Sequence, residues 1–164
     1  MNIFENKLFS SYCIVEFKTS LNKAYCLWYL DQNDDECFFK ENNLIKVYKY
    51  LNDITSKLDK HNIKYEFILF DLDYILMSVK NNDLDINLII DFINIITDIS
   101  KSYGKLLKED NKFNAVYNKL FHGLNLPAIN TSNNKYIPNF NNSELSLLQN
   151  HIQKCILFLN DNIL

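Results

Sequence analysis

The sequence predicts a mainly α-helical protein: a single domain over residues 1–164, built as a bundle of five or more helices with a small antiparallel β-hairpin near the N-terminus. Three observations predict it. After Asn43, apolar residues recur at three- and four-residue spacings, the pattern of amphipathic helices that each bury one face. Residues that start and stop helices, Asn or Ser ahead and Gly behind, fall where several of these stripes begin or end. A chain of 164 residues with 48% hydrophobic and 14% aromatic content is also long enough to close a core without a covalent staple.

The elements follow in order. Residues 11–18 (SYCIVEFK) and 24–31 (AYCLWYLD) are rich in β-branched and aromatic side chains and separated by a polar break, which predicts the hairpin. Helical spacing of Phe4, Leu8, Tyr12 and Val15 competes with it. From Asn43, Leu44, Val47, Tyr48, Leu51, Ile54 and Leu58 form one stripe, with Lys46, Lys49, Asn52, Asp53 and Lys57 opposite. In residues 85–103 the polar positions Asn87, Asp91, Asn94, Asp98 and Lys101 share one face, and Gly104 supplies a left-handed cap. Residues 106–122 form a shorter helix carrying Phe113, Val116, Tyr117 and Leu120, with Gly123 after its end. The last helix starts at a Ser143 or Asn141 cap and runs through Leu145, Leu148, Ile152, Cys155 and Leu159. Between these two helices lies a long irregular loop, 123–142, holding both prolines, Pro127 and Pro138. A connection of that length is functional or draped over the surface.

Residues 64–80, KYEFILFDLDYILMSVK, raise the question of chemistry. An apolar run delivering Asp71 and Asp73 two apart resembles the opening motif of the haloacid dehalogenase superfamily, in which such a pair performs phosphoryl transfer. The resemblance implies a strand ending at the first Asp, followed by Gly-Thr. Here Tyr74 and Ile75 stand in those two places. The residues support a helix instead: Lys64, Asp71 and Ser78 form one polar line and Glu66, Asp73 and Lys80 another, each with a spacing of seven. Such a helix lies between two layers with Asp71 and Asp73 pointing apart. A hairpin turning at Leu72 is the competing reading, though it lacks the Gly or Asn of a tight turn.

Residues 31–42, DQNDDECFFKEN, resemble the start of an EF-hand through Asp31, Asn33 and Asp35. The calcium loop needs Gly at its sixth position and Glu at its twelfth, where Glu36 and Asn42 stand, so no metal is expected. His151 and Cys155 have the spacing of two ligands on a helix, but no CxxC or second His pair completes a tetrahedral set. They read as a boundary imidazole beside a core thiol. Two glycines in the chain leave no phosphate-binding glycine loop, and no cofactor is expected.

All 17 basic residues are Lys, so there is no guanidinium clamp for phosphate or carboxylate. A net charge of −3 without a basic stripe disfavours nucleic acid. The 25 asparagines accompany abundant Ile, Tyr and Phe and mark composition rather than disorder. No apolar run approaches the roughly 18 residues that span a bilayer, and the first residues lack the layout of a signal peptide. Cys13, Cys26, Cys37 and Cys155 sit in apolar surroundings at irregular spacing and read as reduced thiols. The chain is expected to be cytoplasmic.

With no catalytic motif assembled, the expectation is a non-enzymatic binding protein. In size, charge and class it is similar to the bacterial immunity proteins that neutralise a cognate toxin. The partner expected is a basic toxin domain, such as a nuclease, whose cleft is occluded. The acidic contacts are expected from Asp31, Asp34, Asp35 and Glu36 beside Phe38, and the aromatic anchors from Tyr136 and Phe140. A phage-type inhibitor of a host nucleic-acid enzyme, or a small hydrolase with an unrecognised site, are the alternatives.

Overall fold

The computed structural model describes residues 10–33, 35–105, 107, 111–131 and 134–164. The two segments rich in β-branched and aromatic residues do pair, as β1 (Ser10–Lys18) and β2 (Lys23–Leu30), in antiparallel register from Ser10↔Leu30 to Lys18↔Lys23. They are the centre of a five-stranded mixed sheet rather than an appendage to a bundle. The fold is α+β, which overturns the expected mainly helical bundle. The physical reason lies in residues 36–48, where short strands replace an expected loop and the start of an expected helix, and in residues 66–71, where a strand replaces helix.

β3 (Glu36–Phe38) and β6 (Val47–Tyr48) both pair antiparallel with β2 and make one interrupted edge along it. Between them β4 (Lys40–Glu41) and β5 (Leu44–Ile45) form a small hairpin that leaves the sheet, closed by the Lys46 amide donating to the Phe39 carbonyl. Asn42 and Asn43 at its tip both have positive φ, 53° and 65°, as a two-residue turn matched to strand twist requires. The helical stripe expected from Leu44 therefore begins only at α1 (Asn52–Lys60).

β7 (Glu66–Asp71) runs parallel to β1, from Cys13↔Glu66 to Lys18↔Asp71, and completes the order β3-β2-β1-β7. Asp71 ends that strand and caps α2 (Leu72–Asn81), its carboxylate accepting from the Tyr74 amide at 3.1 Å. One continuous helix over 64–80 does not form. The spacing of seven joined polar residues from a strand and a helix.

The remaining helices keep the expected logic. α3 (Ile86–Ser102) is capped by Asp85 and ends in a Schellman motif: the Lys105 amide donates to Ser100 and that of Gly104 to Lys101, with Gly104 at φ 65°. α4 (Asn111–Gly123) begins in the structure at Asn111; Leu106, where the sequence placed its start, is outside the described residues, as are Phe4 and Leu8. α5 (Asn142–Asn162) opens with a capping box between Asn141 and Glu144.

Alternation along β1 sends Cys13, Val15 and Phe17 to one face and Tyr12 and Ile14 to the other, and all five are buried. The first face meets α2 and α3, with α4 and α5 beyond them; Phe17 stacks on Phe70, which packs on Phe92 at 5.5 Å between ring centres. The second face is covered by α1 through Ile54 and Leu58. That smaller cluster draws on β1, β2 and β6 but not on β7.

Candidate functional site

At the end of the sheet where β1 and β7 begin and β2 ends, the helical layer falls short. Cys13, Val15, Trp28, Glu36, Glu66 and Ile68 there face Asp91, Asn94 and Ile95 of α3 across a groove of about 280 Å³. A neighbouring groove of about 430 Å³ shares Cys13, Trp28 and Glu66 with it and extends to Ser11, Leu30, Lys64 and Tyr65. Trp28, half-buried, is therefore common to both. The register explains the assembly: Cys13 lies opposite Trp28 on one side and Glu66 on the other, so all three project from the same face of the pleat.

The first groove has three carboxylates on its walls and, among the described residues that line it, no cation. Burial raises the pKa of the Glu36 carboxyl, and a hydrogen bond with Asp98 together with that residue's charge raises it further. Only a protonated carboxyl can donate in that pair, which is why proximity favours the neutral form. Lys101, paired with Asp98 at 3.0 Å, offsets part of the effect. Asp91 is raised by burial and then by Asp85. Burial, followed by the charge of Glu66, pushes the Cys13 thiol up to about 11, so it stays protonated and is a poor nucleophile. A site of this kind attracts a cation with an apolar stem: carboxylates at the rim, an indole ring within.

Of the residues chosen from sequence, Glu36 belongs to this groove. Asp35 is exposed on the β2–β3 loop at the same end of the sheet, while Asp31 turns inward, its carboxylate accepting from the amides of Asn33 and Asp35. Asp31 thus shapes the turn as a local side-chain cap, the role that made the stretch look like a calcium loop. Asp34 is outside the described residues. Phe38 is 4% exposed and packs in the main core, and Phe140 is 6% exposed in the same cluster, beneath the Lys119 ammonium. Neither ring is presented to a partner.

Tyr136 is exposed, on the far loop, and lines a separate hollow of about 300 Å³ with His122, Ile129 and Asn130. Asn125 and Asn130 tie that loop together, the Asn130 amide donating to Asn125 Oδ1 and to the Asn134 carbonyl. The Asn125 amide donates to the Tyr136 carbonyl and accepts from its N–H, as a strand partner would, while its own backbone takes φ 52°. Gly123 is not the positive-φ cap expected there; its need for no side chain comes from Pro138, which a Cβ would meet at 2.9 Å.

Asp71 and Asp73 do not point apart. Asp71 pairs with Lys18 at 3.3 Å and Asp73 accepts from the Ser20 amide at 2.6 Å, so both hold the β1–β2 turn. The Tyr74 amide first, and Lys18 after it, keep the Asp71 carboxyl below the usual range against the cost of its partial burial. Among the described residues, no group of three or more His, Cys, Asp or Glu is arranged to hold a metal. None of the described helices is long and apolar enough to cross a membrane.

Glu66, Asp91, Asp98 and Trp28 were not singled out by sequence reasoning. The polar face of α3 was visible, but which sheet end it overlooks depends on strand pairings far apart in the chain.

No family model matches the chain, and no curated protein matches it. Among solved structures, the chain is similar to the SatS C-terminal domain, in a crystal structure in complex with bromine, at 11% identity and a TM-score of 0.48, covering 94% of this chain and 93% of that one. A likeness of that degree carries no functional argument.

Proposed function

We propose that the chain is a protein-binding inhibitor of the immunity type, which receives a basic element of a toxin in the acidic groove at the sheet end and occludes the toxin's cleft. The observation that supports this reading is the gathering of Glu36, Glu66 and Asp91, with Asp98 behind, around Trp28 in an open groove. Burial raises the Glu36 and Asp91 carboxyls, which works against folding at neutral pH, and groups kept under that cost are a mark of functional sites. A lysine or arginine entering the groove would relieve the repulsion while its stem packs on the indole.

The reading moves the centre of the surface from the loop to the groove. Asp35 and Glu36 remain in it as the acidic lip, Glu66 and Asp91 become the inner contacts, and Phe38 supports from the core. Association steered by this field is fast and salt-sensitive. The proposed compartment is the cytoplasm, in keeping with thiols at Cys13, Cys26 and Cys37 that form no disulfide.

The test is co-expression with the product of the gene adjacent to its own in a host sensitive to that product. Rescue of growth together with co-purification of the two chains is the expected result. A neighbour that is not toxic, or rescue that survives Glu36→Gln, Glu66→Gln and Asp91→Asn together, overturns the reading.

A further inference from the structure

β7 ends the sheet, and no described strand pairs with its outer side. An open row of backbone N–H and C=O groups pairs with any strand that reaches it, so folded proteins blunt such edges with prolines, lysines, bulges or a covering element. Residues 65–70, YEFILF, hold neither Lys nor Pro, and their single charge, Glu66, lies on the helix side of the sheet, away from Phe67 and Leu69. The register with β1 continues without a bulge from Glu66 to Asp71. On the α1 side of the sheet, Tyr65, Phe67 and Leu69 alternate along the strand at 37%, 45% and 42% exposure, because the cluster under α1 stops at β1. Three large apolar side chains on one face of an unprotected edge mark a covered surface.

We propose that a second copy of this chain covers it, β7 against β7, antiparallel about a two-fold axis at Ile68, so that two five-stranded sheets become one. A symmetric interface needs a self-complementary patch, and the sequence of β7 supplies one. Centred on Ile68, the register sets Phe67 opposite the second copy's Leu69 and Leu69 opposite its Phe67, which buries the exposed pair against itself. Glu66 falls opposite Phe70, and Asp71 opposite Tyr65, whose hydroxyl is a donor for it. No like charges meet. Centring on Glu66 would oppose two carboxylates, and centring on Phe67 would leave them diagonal neighbours, both unfavourable. Complementarity of charge and of apolar area thus selects one register and one occupant.

Analytical ultracentrifugation of the purified chain over a wide concentration range tests this, with Phe67→Lys and Leu69→Lys as variants at exposed positions whose folding is checked by circular dichroism. The expected result is a concentration-dependent species of twice the chain's mass, with a dissociation constant raised at least about tenfold in either folded variant. A second measurement reads the register: Phe67→Cys chains mixed with Leu69→Cys chains should cross-link under mild oxidation far more than either chain alone. A wild-type chain that stays monomeric, a dimer indifferent to both lysines, or cross-linking no greater in the mixture overturns the proposal. So does a monomer in which Leu69→Lys abolishes binding to another protein, since the edge then serves that partner.

Discussion

His151 shows how a single residue can carry a pH dependence. It sits in the core, 6% exposed, with its ring stacked on Phe113 at 3.8 Å, and its Nε2 has no hydrogen-bond partner among the described residues. Burial, and after it the charge of Lys154, brings its pKa down to about 4. The unfolded chain binds this proton below about pH 6.5 and the folded chain does not until about pH 4. Stability contributed by the neutral ring is therefore whole above pH 6.5 and is lost as pH falls through that window. The loss is on the order of 3 kcal/mol. Urea unfolding at a series of pH values should show this slope in the wild type and a much flatter one in His151→Leu. The sequence reads His151 as a boundary imidazole beside a core thiol: Cys155 is fully buried, but His151 lies in the core rather than at its boundary. What the sequence did not carry was the stack on Phe113, which arises from a helix packed alongside rather than from a neighbour in the chain.

Elements were legible where their signals were local. The β-branched runs of β1 and β2, the Asn141 cap of α5 and the left-handed Gly104 each depend on a few adjacent residues, and each appears in the structure. β3 to β6 are only two or three residues long, β3 and β6 held by pairing to β2 and β4 and β5 by pairing to each other, so no periodicity within them exists to be read. The stripe Leu44, Val47, Tyr48, Leu51 imitated a helix, but the strands bury Ile45 and Tyr48 and leave Leu44 57% exposed. β7 failed for a related reason: a short apolar run is compatible with strand or helix until its partner is known. Asp71 was the readable signal there, an Asp immediately ahead of a helical stripe. Replacing it by Ala removes the α2 cap and the Lys18 pair, and chemical denaturation should show a loss of about 1–2 kcal/mol. Asn125 has the same standing in the long loop, which is organised rather than structureless. Asn125→Ala leaves the Tyr136 backbone without its two partners and forces an unfavourable φ on a residue with a Cβ, a cost of about 1–3 kcal/mol; hydrogen exchange should quicken at residue 136 while α3 stays protected.

At the scale of the whole molecule, charge and coverage are unevenly distributed. Among the described residues, one sheet face is closed by four helices and the other by a single short one, which leaves the α1 side of β7 exposed and opens the groove at the end of β1, β2 and β7. A net charge of −3 is small, so the field that matters is the local one made by Glu36, Glu66, Asp91 and Asp98 rather than that of the chain as a whole. Asp91 and Asp98 share α3, but Glu36 and Glu66 come from strands far from it in sequence, so the site exists only once the sheet has assembled.

The association rate between this chain and the basic toxin domain proposed as its partner, measured by stopped flow from low to high ionic strength, tests the account most directly. The groove predicts a rate that falls steeply with salt, and a low-salt rate reduced about tenfold or more when Glu36, Glu66 and Asp91 are replaced by Gln, Gln and Asn. A triple variant that associates as fast as the wild type at every salt concentration would contradict it.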